Sequence, residues 1–198
     1  MIVDSNDLKG CFDTITHIPM TLGFHRLGVP LAPINWMIDA TQEMEHCMCT
    51  ALGTSEAHCG NAPTESPPAG TLQGNGAGVA GWQVVCGPLA STMLRLGFGY
   101  REWTIVKRRL IQIFSTGFID DTDSVHNARD PQMSTQDMIA ETQDALKKWE
   151  GLVAATGGSL APEKVLGVWW NCDEAMENGD KSQQQRNQET FGSTMITK

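Results

Sequence analysis

Two adjacent aspartates between two apolar runs constrain the fold of this chain more than any other feature. Phe118 and Ile119 precede Asp120 and Asp121, and Val125 follows them closely. Apolar runs on both sides of a short polar segment predict a β-hairpin with the acidic pair at its tip. Asp-Asp also favours a turn by itself, so a purely structural turn is the alternative interpretation.

A third carboxylate, Asp7, follows a short segment at residues 1–6 that is typical of the end of a β-strand. If that strand neighbours the hairpin in one sheet, Asp7, Asp120 and Asp121 converge on one small volume. Carboxylates that close can all stay ionised only where a cation neutralises them. Oxygen ligands of this kind suit Mg²⁺ or Mn²⁺. Two such ions roughly 3.5–4 Å apart would clamp the attacking and leaving oxygens of a phosphoryl displacement.

Helices and strands are interleaved along the rest of the sequence. Apolar spacing predicts helices over residues 13–28, 31–49 and 134–156, and another that follows a Gly-rich turn at 73–78 and ends near residue 95. We expect an edge strand around 54–58 and a strand over 165–170. This irregular order predicts an α+β fold, with a small antiparallel sheet and helices packed on one face.

Composition limits the classes of function. The 198 residues carry a formal net charge of -9, from 23 acidic and 14 basic side chains, which argues against a sequence-independent nucleic-acid binder. No apolar run reaches the ~18 residues of a membrane span, so no membrane partner is expected. The acidic N-terminal residues do not resemble a secretion signal, and six cysteines do not form a disulfide framework. An intracellular location is expected.

Four segments of this chain match, in order and at plausible spacing, the palm motifs of one family. They are Asp7-Leu8-Lys9-Gly10-Cys11-Phe12-Asp13, Gln73-Gly74, Phe118-Ile119-Asp120-Asp121 and Gly157-Gly158-Ser159-Leu160-Ala161-Pro162-Glu163-Lys164. On these residues the chain resembles the reverse transcriptases of retrotransposons. The likeness covers a palm domain over residues 1–170, and residues 171–198 form a polar tail that we expect to be flexible.

The resemblance implies an RNA-directed DNA polymerase with two Mg²⁺ or Mn²⁺ ions. Asp7, Asp120 and Asp121 would hold the metals, with the backbone carbonyl of Leu8 as a further ligand. The reaction would be attack of a primer 3′-hydroxyl on a dNTP, and the partners would be a primer and an RNA or DNA template.

Other motif residues take roles around the nucleotide by the same resemblance. Phe12 would lie under the incoming sugar and exclude a 2′-hydroxyl, while Gln73 and Gly74 would pack against the nucleotide and the template. Lys164 would neutralise or protonate the leaving pyrophosphate, a task that suits a flexible ammonium.

The sequence departs from the family pattern in three places. Gly78-Val79 stands where Ser-Pro usually follows the Gln-Gly motif. The family's basic fingers precede the first motif and its thumb follows the palm, but this sequence has few residues before Asp7 and only the polar tail after residue 170. We therefore expect a truncated palm from a longer polyprotein, and a catalytically inactive remnant or interaction module with the same fold is the alternative.

Three further patterns favour other functions. Gly76-Ala77-Gly78-Val79-Ala80-Gly81, with Glu102 about 20 residues on, fits the fingerprint of a dinucleotide-binding oxidoreductase, although no clear strand precedes it. The basic run Lys107-Arg108-Arg109 is either a solvated strand end or a contact to nucleic-acid phosphates. A third set combines histidines and cysteines, which suit zinc or ordinary packing: His46, Cys47, Cys49, His58 and Cys59.

Overall fold

The computed structural model describes residues 1–60, 69–71, 76–118, 121–130, 132–161 and 166–169. Within these ranges the helices are α1 (Cys11–Thr14), α2 (His17–Arg26), α3 (Leu31–Glu43), α4 (Gly76–Arg95) and α5 (Thr135–Ala154). The strands are β1 (Ile2–Asn6), β2 (Glu45–Thr50), β3 (Gly53–Gly60), β4 (Tyr100–Trp103), β5 (Leu110–Ile113), β6 (Ser115–Phe118), β7 (Asp121–His126) and β8 (Leu166–Trp169). Every strand pairing among these elements is antiparallel, which confirms the α+β class.

The chain divides into two compact units. The first comprises Met1–Lys9, Gly87–Ala155 and the described residues from Ser159 onward. The second comprises Gly10–Cys86 and Thr156–Gly158. The expected polar tail at residues 171–198 lies outside the described part of the chain.

The main sheet belongs to the first unit and has the strand order β6-β7-β1-β8. β1 is a central strand, because it pairs with β7 on one side and with β8 on the other. β6 and β7 form the expected hairpin, in which Phe118 pairs with Asp121. Ile119 and Asp120, the two residues between them, lie outside the described residues.

Helix α5 contributes the largest fully buried side chain of the first unit, Trp149. Its predicted start is confirmed at Ser134, whose Oγ accepts a hydrogen bond from the Asp137 N–H at 3.1 Å and so caps the helix. The Trp149 ring lies 5.3 Å from the ring of Phe114, centroid to centroid, and Phe114 in turn meets His126 of β7 edge-on at 6.0 Å. This chain of ring contacts connects α5 to the sheet.

Two predicted helices are shorter than expected. The helix predicted over residues 13–28 is broken at Ile15 and Thr16, and α2 begins at His17, which places Pro19 in its first turn, where proline costs no backbone hydrogen bond. The helix predicted over residues 31–49 is wrong beyond Glu43, because Glu45–Thr50 forms strand β2 instead.

Pairing with β3 explains why β2 is a strand. Glu45 pairs with Gly60 and Thr50 with Gly53, across a tight turn. The Thr50 hydroxyl stabilises this turn, because it donates to the Gly53 carbonyl and accepts from the Leu52 N–H, both at 3.2 Å. β3 also confirms the edge strand expected around residues 54–58. No described helix is long and apolar enough to cross a membrane.

Helices α2 and α4 approach closely at a glycine in the second unit. A Cβ atom added at Gly23 would lie 2.6 Å from the carbonyl oxygen of Val84. This oxygen belongs to the helix backbone and cannot move aside by a rotamer change, so only glycine fits at this position.

The Gly23→Ala variant should lose about 1–3 kcal/mol of unfolding free energy, because the added methyl group forces the two helices apart. Urea unfolding followed by far-UV circular dichroism measures the loss. Gly151→Ala on α5 is the matched control, since no atom lies within 4 Å of the position that its methyl group would take. That variant should gain up to about 1 kcal/mol from helix propensity. Equal stability of the two variants would contradict the close helix approach.

Candidate active site

The register of β1 and β7 determines which residues meet at the end of the main sheet. Asn6, the last residue of β1, pairs with Thr122, the second residue of β7. Asp7 directly follows Asn6, and Asp121 directly precedes Thr122, so both aspartates adjoin this last pair of the ladder. Two of the three carboxylates predicted to converge therefore share one end of the sheet.

Asp7 and Asp121 lie on the more accessible face of this strand pair. Side chains alternate between faces along a strand. The paired residues Asn6 and Thr122 are buried, whereas Asp121 is exposed and Asp7 is half-buried. Water and small polar ligands can therefore reach the carboxylates on this face.

Backbone hydrogen bonds to residues 159–161 also fix the segment that follows β1. The Asp7 carbonyl accepts from the Ala161 N–H, and the Lys9 N–H donates to the Ser159 carbonyl, both at 2.9 Å. Between these bonds, the buried Leu8 forms a β-bridge with Leu160. Neither bond uses the Leu8 carbonyl, the backbone atom expected to be a further metal ligand.

The remaining predicted site residues lie in the second unit or outside the described residues. Phe12 is half-buried in α1 of the second unit, where its carbonyl accepts from the Thr71 N–H at 2.7 Å. Gln73, Gly74, Asp120 and Lys164 lie outside the described residues. Among the residues that are described, no group of three or more His, Cys, Asp or Glu side chains could hold a metal ion.

A buried carboxylate on β1, which the sequence analysis did not identify, organises the opposite face of the same strands. Asp4 is only 1% exposed. Its Oδ2 accepts hydrogen bonds from Asn6 Nδ2 and from Ser124 Oγ, both at 2.6 Å. His126 Nε2 lies 3.1 Å from the other oxygen, Oδ1, which is close enough for an ion pair although the ring N–H is not aligned for a hydrogen bond.

These contacts hold β1 and β7 in one register. Asp4 pairs directly with Ser124 across the two strands, and Ile2 pairs with His126. A slip of one residue would turn these side chains to the other face and leave a buried carboxylate without its donors. Polar residues stand two positions apart in both strands, at Asp4 and Asn6 and at Ser124 and His126. This alternation was the sequence signal that could have revealed the cluster.

The glycines of the G-x-G-x-x-G pattern all lie within helix α4, whereas the dinucleotide-binding fingerprint needs its first glycine in a tight turn. A Cβ atom at Gly78 would lie 3.0 Å from the Phe12 ring, and one at Gly81 would lie 2.5 Å from the sulfur of Met20. Close packing inside the second unit therefore accounts for both glycines. Glu102, the residue expected to bind a ribose, is exposed on β4.

The histidines and cysteines considered for zinc lie on the β2–β3 hairpin. His46 pairs with Cys59, and Cys47 pairs with His58. Successive cross-strand pairs occupy opposite faces of a hairpin, so these two pairs of positions do not share a face. Cys49 is exposed, and its sulfur lies 3.4 Å from the Thr54 hydroxyl.

Comparison with known proteins adds no family to this picture. No protein-family model matches the chain, and no curated protein matches it significantly. The functional interpretation therefore depends on the residues and the geometry described above.

Replacing Asp4 should destabilise the protein strongly. Asp4→Ala removes the acceptor of two buried donors and the partner of His126, and we expect a loss of about 3 kcal/mol or more in unfolding free energy. Asp4→Asn keeps the shape of the side chain and one acceptor oxygen, so we expect a loss of about 1–2 kcal/mol in unfolding free energy. Urea unfolding provides both values.

Asp123→Asn is the control for charge removal on the same strands, because Asp123 is an exposed residue of β7. Its unfolding free energy should change by less than about 0.5 kcal/mol. If Asp4→Ala were as mild as Asp123→Asn, the buried cluster would not be what fixes the register.

Proposed function

We propose that this chain is the palm of a retroelement-type RNA-directed DNA polymerase. It would transfer a nucleotide from a dNTP to the 3′-hydroxyl of a primer on an RNA or DNA template. The observation that carries this proposal is the β1–β7 register, in which Asn6 pairs with Thr122, so that Asp7 and Asp121 adjoin the same end of an antiparallel sheet. The two residues come from the first and third motifs on which the family resemblance depends.

The order of the strands supports the same proposal. β1, which ends just before Asp7, lies next to β7, which begins at Asp121, and β6 completes the hairpin. The proposed reaction needs the aspartates of the first and third motifs close together, and neighbouring strands provide this. An Asp-Asp pair that serves only to form a turn does not require β1 as a neighbour. The adjacency of β1 and β7 therefore favours a catalytic role of the aspartates over a purely structural turn.

The carboxylate pair has the chemistry that divalent metals require. Asp7 and Asp121 offer hard oxygen donors on the accessible face, and Asp120, next to Asp121 in the chain, would complete the set. When bound there, two Mg²⁺ or Mn²⁺ ions would neutralise triphosphate charge and activate the primer hydroxyl. The bond from the Ala161 N–H to the Asp7 carbonyl, and the pairing of the preceding Asn6 with Thr122, would keep the Asp7 backbone in place.

Lys164 would act on the leaving pyrophosphate. Ala161 is bonded to Asp7 and Leu166 is paired with Ser5, so both described neighbours of this lysine contact the carboxylate end of β1. By the family resemblance, the Lys164 ammonium would neutralise or protonate a phosphate oxygen of the leaving group.

A catalytically inactive remnant with the same fold is the second candidate. The observation that favours it concerns Phe12, which the resemblance assigns to the incoming sugar. Gly78 abuts its ring, with 3.0 Å between a Cβ position at this glycine and the ring carbon Cδ1. A ring engaged in packing inside the second unit is less free to select a nucleotide.

Binding of Mn²⁺ to the full chain tests the site. We expect Asp7→Asn and Asp121→Asn each to weaken binding at least tenfold, because each removes a negative oxygen ligand. Electron paramagnetic resonance of free Mn²⁺ during a titration measures the affinity. Asp39→Asn is the matched control, since Asp39 is an exposed aspartate on α3 in the other unit, and its affinity should equal that of the wild type.

Primer extension separates the two candidates. A folded wild-type chain that binds no Mn²⁺ would exclude the metal site. Mn²⁺ binding that depends on Asp7 and Asp121, without extension of a primer when fingers and thumb are supplied, would identify the inactive remnant.

A further inference from the structure

The β4–β5 hairpin of the first unit carries many exposed residues. Its register pairs Tyr100 with Ile113 and Trp103 with Leu110. All four residues of β5 are exposed, as are the last two of β4. A ligand can therefore reach this surface.

The tip of this hairpin, residues 104–109, is closed by its own hydrogen bonds. The Thr104 N–H donates to the Arg109 carbonyl at 2.9 Å, and the Arg108 N–H donates to the Thr104 carbonyl at 3.0 Å. The Thr104 hydroxyl also accepts from the Arg109 N–H at 2.9 Å. Arg108 takes a left-handed backbone with φ 44°, which completes the turn.

This closed turn presents three positive charges together. Lys107, Arg108 and Arg109 are all exposed, and none of them makes a salt bridge with a described residue. They are concentrated in a chain whose formal net charge is -9. Guanidinium and ammonium groups without acidic partners are the usual ligands of phosphate oxygens.

An aromatic side chain stands beside the charges. Trp103 is 60% exposed and lies across from Leu110 on one face of the hairpin. Exposed aromatic rings beside a basic surface stack on the bases of single-stranded nucleic acids, which have apolar faces that are accessible to them.

We propose that the β4–β5 hairpin binds single-stranded nucleic acid, with Lys107, Arg108 and Arg109 on the phosphates and Trp103 stacked on a base. The choice of nucleic acid rests on the function proposed above. β5 continues through Phe114 into β6, which ends beside Asp121. The chain from Arg109 to Phe118 spans at most about 32 Å, so one template strand can reach both the hairpin and the carboxylates.

The same surface also carries apolar residues at its tip, since Ile105 is 96% and Val106 is 91% exposed. An apolar tip with cationic neighbours can also bind an anionic lipid surface. The continuity of the hairpin with the carboxylate end of the sheet favours nucleic acid, and the experiment includes lipid vesicles as an opposing outcome.

Fluorescence anisotropy with a labelled oligothymidylate of about 20 nucleotides tests the proposal, in EDTA so that no metal site contributes. The charge variant is Lys107→Gln, Arg108→Asn, Arg109→Gln, in which asparagine tolerates the left-handed backbone. We expect at least tenfold weaker binding and a shallower dependence of affinity on salt, because phosphate contacts release counterions. Trp103→Ala should weaken binding roughly fivefold or more through lost stacking.

The chain offers a matched control for each variant. Arg26→Gln, Arg95→Gln, Lys147→Gln removes the same number of positive charges from exposed positions elsewhere. Trp36→Ala removes another exposed tryptophan, one that is 75% accessible on α3. Both controls should bind the oligonucleotide as the wild type does, within about twofold.

The proposal is overturned if the folded wild type binds no oligonucleotide, or if the variants and their controls lose oligonucleotide affinity equally. It is also overturned if the hairpin variants lose binding to phosphatidylserine vesicles but keep the oligonucleotide affinity of the wild type. The Mn²⁺ titration keeps the two proposals separate. If the hairpin variants weaken oligonucleotide binding but the chain binds no Mn²⁺, only the proposed polymerase function is contradicted. If Mn²⁺ binds as expected but the hairpin variants bind the oligonucleotide as the wild type does, only the present proposal is contradicted.

Discussion

The buried carboxylate of Asp4 is the interaction on which the main sheet depends. A charge that is removed from water must recover its hydrogen bonds inside the protein, or the fold loses several kcal/mol. Asn6 supplies one donor from the same strand, and Ser124 supplies another from β7, 120 residues away in sequence. Since the second donor is available in only one register, the cost of burying the charge selects how β1 and β7 pair.

The same two strands keep their structural and candidate functional carboxylates apart. Asp4 and Asp7 are three residues apart, and an odd spacing along an extended strand leads to opposite faces. The inner face surrounds Asp4 with donors, whereas the outer face leaves Asp7 and Asp121 accessible. The register that Asp4 fixes therefore also decides that Asp7 and Asp121 adjoin the same end of the sheet.

Local sequence patterns predicted the elements whose causes are local. The Ser134 cap, the period of α5 and the apolar runs around the acidic pair all act within a few residues, and those elements form as expected. Residues 44–49 also fit a helical period, but pairing with β3 decides their structure, and no pattern within 44–49 reveals that partner. Asp4 was missed for a related reason, because the matching period-two residues Ser124 and His126 lie on a strand far away in sequence, and only the pairing of β1 with β7 connects the two patterns.

Net charge is a weaker guide to partners than the arrangement of charge. At physiological ionic strength the Debye length is about 8 Å, so exposed charges further apart than this barely influence one another. Lys107, Arg108 and Arg109 occupy consecutive positions at the tip of an exposed hairpin, and none of them forms a salt bridge with a described residue. Three consecutive cations can make this tip locally positive, even though the whole chain carries -9. A net charge of -9 therefore does not by itself exclude a nucleic-acid partner.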